Sequence, residues 1–267
     1  RTDAYLAEKY TIYYQLSGAL IASQSPSQLG SKPKFIALAP VFEDKETNYI
    51  NKSCERFVKI AKKSDTTSRA FSLNGQYIAP LPATEVEVAT INQMNIDKGF
   101  PSKSFIKEAA SEELIKKGEL QDYDYIHLAT HGFVNSQYPE LSGLLLTQDK
   151  NSTEDGILYT GEILGLTLKA ELVTLSACET ALGKKIEGEG VRGLTTAFLF
   201  AGARSVISSL WKVADESTSL LMIDFYSELL KGKDKATALR TAKLNLLKSQ
   251  KFSHPYYWAP FIQVGAN

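Results

Sequence analysis

Three short continuous apolar runs punctuate the chain: KFIALAP at 34–40, YDYIHLATHGF at 123–133 and AELVTLSAC at 170–178. Runs of this length, closed by small or turn-forming residues, are the pattern of strands buried on both faces of a parallel sheet. RSVISSLW at 204–211 predicts a further strand, and the aromatic turn HPYYW at 254–258 leads into a last one. YTIYYQLSGALI at 10–21 is rich in β-branched and aromatic residues and predicts a strand near the start, followed by a Ser/Pro/Gly/Lys loop at 23–34. SKSFIKEAA at 102–110 is a weaker strand signal.

Between these runs the spacing turns helical. Ile50, Cys54, Phe57, Val58 and Ile60 recur at roughly helical intervals, so Cys54 is expected to pack inward as a small hydrophobe. Thr84 is expected to open a helix running to about Met94, with Glu87 three positions later completing a capping box. Ser111 starts a short helix, and residues 143–166 predict short strands and a turn-helix. Val191, Leu194, Phe198 and Leu199 share one face of a helix that ends at Gly202, a candidate left-handed cap. Asp215 and Asp234 stand where the N-caps of two further helices belong. Strand and helix alternate, which predicts an α/β layered fold with a mostly parallel central sheet. No linker or internal repeat divides residues 1–267, read as a single domain.

Composition narrows the partners. Thirty basic and thirty acidic side chains cancel, so no global field favours nucleic acid or an anionic membrane. No apolar run approaches the roughly 20 residues of a membrane span. Two cysteines, Cys54 and Cys178, make a poor disulfide framework and fit a reducing, cytoplasmic setting. The start at Arg1 reads as a domain trimmed from a longer chain.

Layered α/β folds expose functional groups at the carboxyl ends of their strands. Two runs end there with chemistry, one delivering His131 and Gly132 and the other Cys178. A free thiol is only a few per cent thiolate at neutral pH, so a nucleophilic cysteine wants an imidazole beside it. His131 is that candidate for Cys178. Taken singly, each residue has a structural reading too, because free cysteine is among the most buried residue types. Gly132, lacking a Cβ, lets its N–H approach a reacting carbonyl, and with the N–H of Cys178 it forms a candidate oxyanion hole.

IHLATHG, LSGLLL, DGILYTGEI, LVTLSACETALG, the long GEGVRGLTTAFLFAGARSVISSLWKVADEST and HPYYWAPFIQVG occur in this order. Together with YLAEKYTIYYQL near the start they resemble the CHAT domain, a caspase-like cysteine peptidase module related to separase and frequent in bacteria. The resemblance implies a caspase-hemoglobinase-like three-layer sandwich. It also implies His131 as general base and Cys178 as nucleophile in a cysteine endopeptidase needing no cofactor or metal. The 47 residues between His131 and Cys178 are close to the roughly 50 of caspases. Such modules usually follow helical repeats, commonly tetratricopeptide repeats, so the expected partners are a protein or peptide substrate and an upstream repeat region or regulatory protein.

Asp215, in LWKVAD, matches the position where separase-like relatives set an acidic residue against a basic side chain preceding the cleaved bond. It lines a substrate pocket, caps its helix, or does both. His127 and His131 share an H-x-x-x-H spacing, but Leu128 stands where a zincin has glutamate and the segment reads as a strand, so His127 is expected to be a hydrogen-bonded core residue. EGEG at 187–190 reads as a turn near the nucleophile, and Glu179 as a solvent-facing or structural group. The Tyr256, Tyr257, Trp258 cluster, without a basic groove, reads as core or cleft edge. A catalytically silent interaction module is the alternative function, and a small-molecule amidase a third.

Overall fold

The computed structural model describes residues 4–16, 29–42, 80–135, 138–147, 152–176 and 189–267, with side chains described from 193 in the last segment. The expectations for Cys54, Cys178 and Glu179 lie outside these residues. The apolar runs form the strands β1 (Phe35–Ala39), β3 (Tyr125–Ala129) and β7 (Leu172–Ser176), each buried at all five positions. They are joined by β2 (Ser102–Ile106), β8 (Ser205–Ser209) and β9 (Phe261–Gly265) in one sheet of order β2-β1-β3-β7-β8-β9. All neighbours run parallel except β9, which lies antiparallel on β8. The architecture is α/β with a mostly parallel central sheet.

Alternation along the strands feeds two cores. Ile36, Leu38, Ile126, Leu128, Val173 and Leu175 face one way, toward α3 (Glu112–Lys116), α4 (Thr160–Ile163) and α5 (Glu189–Phe200). Phe35, Ala37, Ala39, Tyr125, Ala129 and Leu172 face the other, toward α2 (Pro82–Asp97), α6 (Asp215–Leu230) and α7 (Lys235–Lys248). Helices thus cover both sheet faces. A short antiparallel sheet, β4 (Gly132–Phe133), β5 (Gly143–Leu145) and β6 (Ile157–Tyr159), follows β3 directly. α5 ends at Phe200, and the turn after it is made by Gly202, whose φ of 113° is rarely adopted by L side chains and whose added Cβ would stand 2.1 Å from the Leu168 carbonyl oxygen.

Three local readings change. α2 begins at Pro82, two residues before Thr84, with Leu81 at its N-cap. Thr84 then donates its hydroxyl to the Leu81 carbonyl at 2.6 Å, and Glu87 turns into the core instead of closing a capping box. α6 has Ala214 at its N-cap, which moves Asp215 to the first helical position. Near the start, α1 (Leu6–Lys9) precedes an extended segment that meets β9 through the parallel bridge from Tyr14 to Val264 and a hydrogen bond from Gln15 Nε2 to the Gly265 carbonyl. Asp234 caps α7 as expected, accepting from the Thr237 N–H at 2.9 Å. Among the described residues no helix is long and apolar enough to cross a membrane.

Candidate functional site

Strand order locates the site before any side chain is considered. The chain passes from β1 outward to β2 and then crosses to β3 on the opposite side of β1, so the direction of winding reverses between β1 and β3. Open α/β sheets bind ligands at the carboxyl ends of strands flanking such a reversal. Here those ends carry Pro40, Val41 and Phe42 on one side, and Thr130, His131 and Gly132 on the other.

The exits of β3 and β7 are matched. Ala129 pairs with Ser176, and the next N–H, from Thr130, donates to the Ser176 carbonyl at 3.1 Å. In the sequence His131 and Cys178 each follow two residues after this pair, and the strands that precede them, β3 and β7, are neighbours spaced about 4.8 Å apart. The His131 main chain is fixed from the other side, because its carbonyl accepts from the Leu145 N–H at 2.9 Å and the Thr130 hydroxyl donates to the Leu145 carbonyl. That first bond makes Gly132 and Leu144 a non-hydrogen-bonded antiparallel pair, which turns the Gly132 N–H away from β5.

The His131 ring is fully buried and meets the Phe42 ring at 5.2 Å between centroids. Val41 and Phe42 both hold positive φ, 68° and 52°. Such values are uncommon for any non-glycine residue and strained for a β-branched one, and this pair of values lies at the sheet reversal. The Leu81 N–H donates to the Val41 carbonyl at 2.7 Å, tying this turn to the start of α2.

Asp215 is drawn into the same corner. Its Oδ2 accepts from the Ala83 N–H at 2.8 Å, so the carboxylate caps the first turn of α2, a helix 132 positions away, and not its own. Oδ1 is buried and has no hydrogen-bond partner among the described residues. Burial pushes the Asp215 carboxyl above its ordinary range and the Glu87 carboxylate adds to this, whereas the Ala83 N–H and the charge of His131 act against it.

Sequence reasoning missed the groups beneath the site. Glu87 is fully buried, with Oε1 2.7 Å from His127 Nε2 and accepting the Ser176 hydroxyl at 2.6 Å. On the same sheet face the Tyr226 hydroxyl donates to Thr174 Oγ1 at 2.9 Å. The available signal was polar residues at inward positions of strands otherwise fully apolar, since buried polar groups demand partners. His127 is the hydrogen-bonded core residue expected. Elsewhere, Glu112, Glu154 and Glu162 lie close enough together to suit a cation, but Lys116 Nζ already sits among them at 2.7, 2.5 and 2.6 Å.

The chain is similar to several known proteins. Tetratricopeptide repeat protein 28 of Homo sapiens is 35% identical over 139 residues, covering 52% of this chain and 5% of that protein. The chain thus matches a small fraction of the relative's length. Among solved structures, the Saccharomyces cerevisiae separase-securin complex aligns over 92% of this chain and 13% of that one, at 14% identity and a TM-score of 0.46. The Arg-specific cysteine proteinase gingipain R aligns over 91% of this chain and 79% of that one, at 8% identity and a TM-score of 0.48. The CHAT domain family matches residues 1–266, and the chain belongs to that family.

Proposed function

We propose that this chain is a cysteine endopeptidase of the caspase and separase type. The observation that carries the reading is the matched exit of β3 and β7, from which His131 and Cys178 follow at equal distance beside the sheet reversal. In this mechanism His131 takes the thiol proton, and the Cys178 thiolate attacks the carbonyl carbon of a peptide bond. The oxyanion is held by the N–H groups of Gly132 and Cys178. His131 returns the proton to the leaving amine as the C–N bond breaks, and water then hydrolyses the thioester. Asp215, with one buried oxygen unpartnered among the described residues, takes the basic side chain preceding the scissile bond.

The burial of His131 under Phe42 supports a latent site opened by a regulator. The name of the human relative points to tetratricopeptide repeats as the regulating region or partner. That same burial favours the second reading, a catalytically silent CHAT module that holds a protein ligand. Incubation with a peptidyl electrophile bearing arginine at its terminal position separates the two. Covalent labelling at Cys178 that requires His131 supports the peptidase; absence of labelling, with and without tetratricopeptide repeat partners, supports the scaffold.

A further inference from the structure

The carboxylate of Glu87 is a costly group to bury. Taking a carboxyl group out of water is unfavourable unless its hydrogen bonds are replaced, so the arrangement stabilises little over an apolar side chain of similar volume. It is also incompletely satisfied: among the described residues Glu87 Oε2 and His127 Nδ1, both buried, have no hydrogen-bond partner. A network shaped for stability would engage both. What the network does engage is specific. From α2, Glu87 reaches His127 in β3 and Ser176 at the last position of β7. Ser176 in turn receives the Thr130 N–H, one residue before His131. One turn earlier α2 is fixed by Asp215 on Ala83, and Tyr226 holds Thr174 two residues before Ser176.

We propose that Glu87 is a positioning residue for the His131–Cys178 pair, bracing from α2 the ends of β3 and β7, the strands that precede those two residues in the sequence. This rests on the peptidase reading of the site. The brace acts through Ser176: its hydroxyl is held by Glu87 and its carbonyl by Thr130, so one residue sets the lateral spacing of both exits. Displacements of about 1 Å at a reacting pair cost on the order of a hundredfold in rate, which makes such a brace worth its burial.

The test reads the pair without needing a substrate. In a Cys54→Ser background Cys178 is the only thiol, and its alkylation by iodoacetamide is followed from about pH 5 to 9, with and without tetratricopeptide repeat partners. Wild type is expected to react rapidly below the ordinary thiol pKa of about 8.5, and His131→Ala to lose that acid-side reactivity. Glu87→Gln, close in shape, and Ser176→Ala, which deletes one hydroxyl, are each expected to lose about tenfold or more of it while remaining folded, and the double variant to lose no more than the larger single loss. If Glu87→Gln does not fold, Ser176→Ala carries the test. Variants that melt at lower temperature but keep the wild-type pH profile when folded overturn the brace alone. A wild type whose alkylation is independent of His131 both with and without those partners overturns the peptidase reading, and the brace with it.

Discussion

Thr130 and Ser176 are joined across adjacent parallel strands by an N–H to carbonyl hydrogen bond of 3.1 Å. The bond lies one residue before His131 and two before Cys178, at the edge where the sheet reverses. If chemistry takes place there, neither side chain has a substitute. Cys178→Ala and His131→Ala are each expected to lower peptide cleavage by about a thousandfold or more, with substrate binding retained. Full turnover in either variant, measured on a fluorogenic arginyl peptide with activating partner present, is incompatible with the dyad.

Asp215 offers a separable measurement. Asp215→Asn keeps an oxygen for the Ala83 N–H, so the cap on α2 and the melting temperature should persist, while the charge is lost. Cleavage after arginine or lysine is then expected to fall about a hundredfold in kcat/KM, the usual scale for leaving a buried cation unpaired. The sign of the pH effect follows from the raised carboxyl pKa, attributable first to burial. As pH falls Asp215 is neutralised earlier than an ordinary aspartate, so basic-residue selectivity fades on the acid side. A variant that keeps the same selectivity at every pH would reduce Asp215 to a helix cap.

Phe42 covers the candidate base. Its ring is buried, 5.2 Å from that of His131. Removal of such a core aromatic costs about 3–5 kcal/mol. In Phe42→Ala that remains folded, diethyl pyrocarbonate is expected to modify His131 at least about tenfold faster than in wild type, with the exposed His254 as internal reference. Equal modification of His131 in both proteins, read by mass spectrometry, would mean that Phe42 does not gate the imidazole.

The fold was legible where burial is continuous. β1 is wholly apolar, and β3 and β7 are apolar apart from His127, Thr174 and Ser176, because both sheet faces are covered, and local composition then suffices. Capping was legible at Asp234, where donor and acceptor are three residues apart. It failed at Thr84, whose T-x-x-E spacing is the same whether the helix starts there or at Pro82; the proline at the first helical position was the better signal. At Asp215 the partner lies 132 residues away, so no local pattern encodes it. Glu87 was misread for the same reason. Its partners His127 and Ser176 are 40 and 89 positions distant, and only pairing of β3 with β7 brings them onto one face.

A last prediction concerns stability away from the site. Glu112 is buried at the start of α3, where its Oε2 accepts from the N–H groups of Gly156 and Ile157 and its Oε1 meets Lys116. Burial raises its pKa to about 7, with Asp155 and Glu162 adding to the shift and Lys116 opposing it. The folded carboxyl thus holds a proton that the unfolded one, near 4.5, has released. Its contribution is fully present below about pH 4.5 and is lost as pH rises through 7, a change on the order of 3 kcal/mol. Glu112→Gln keeps an acceptor for both N–H groups and cannot ionise, so its stability should lack that fall. Urea unfolding of both proteins from about pH 4.5 to 8 should show the variant overtaking wild type as pH rises. Curves that stay parallel across this window would mean that Glu112 is ionised throughout, with Lys116 and the two N–H groups outweighing its burial.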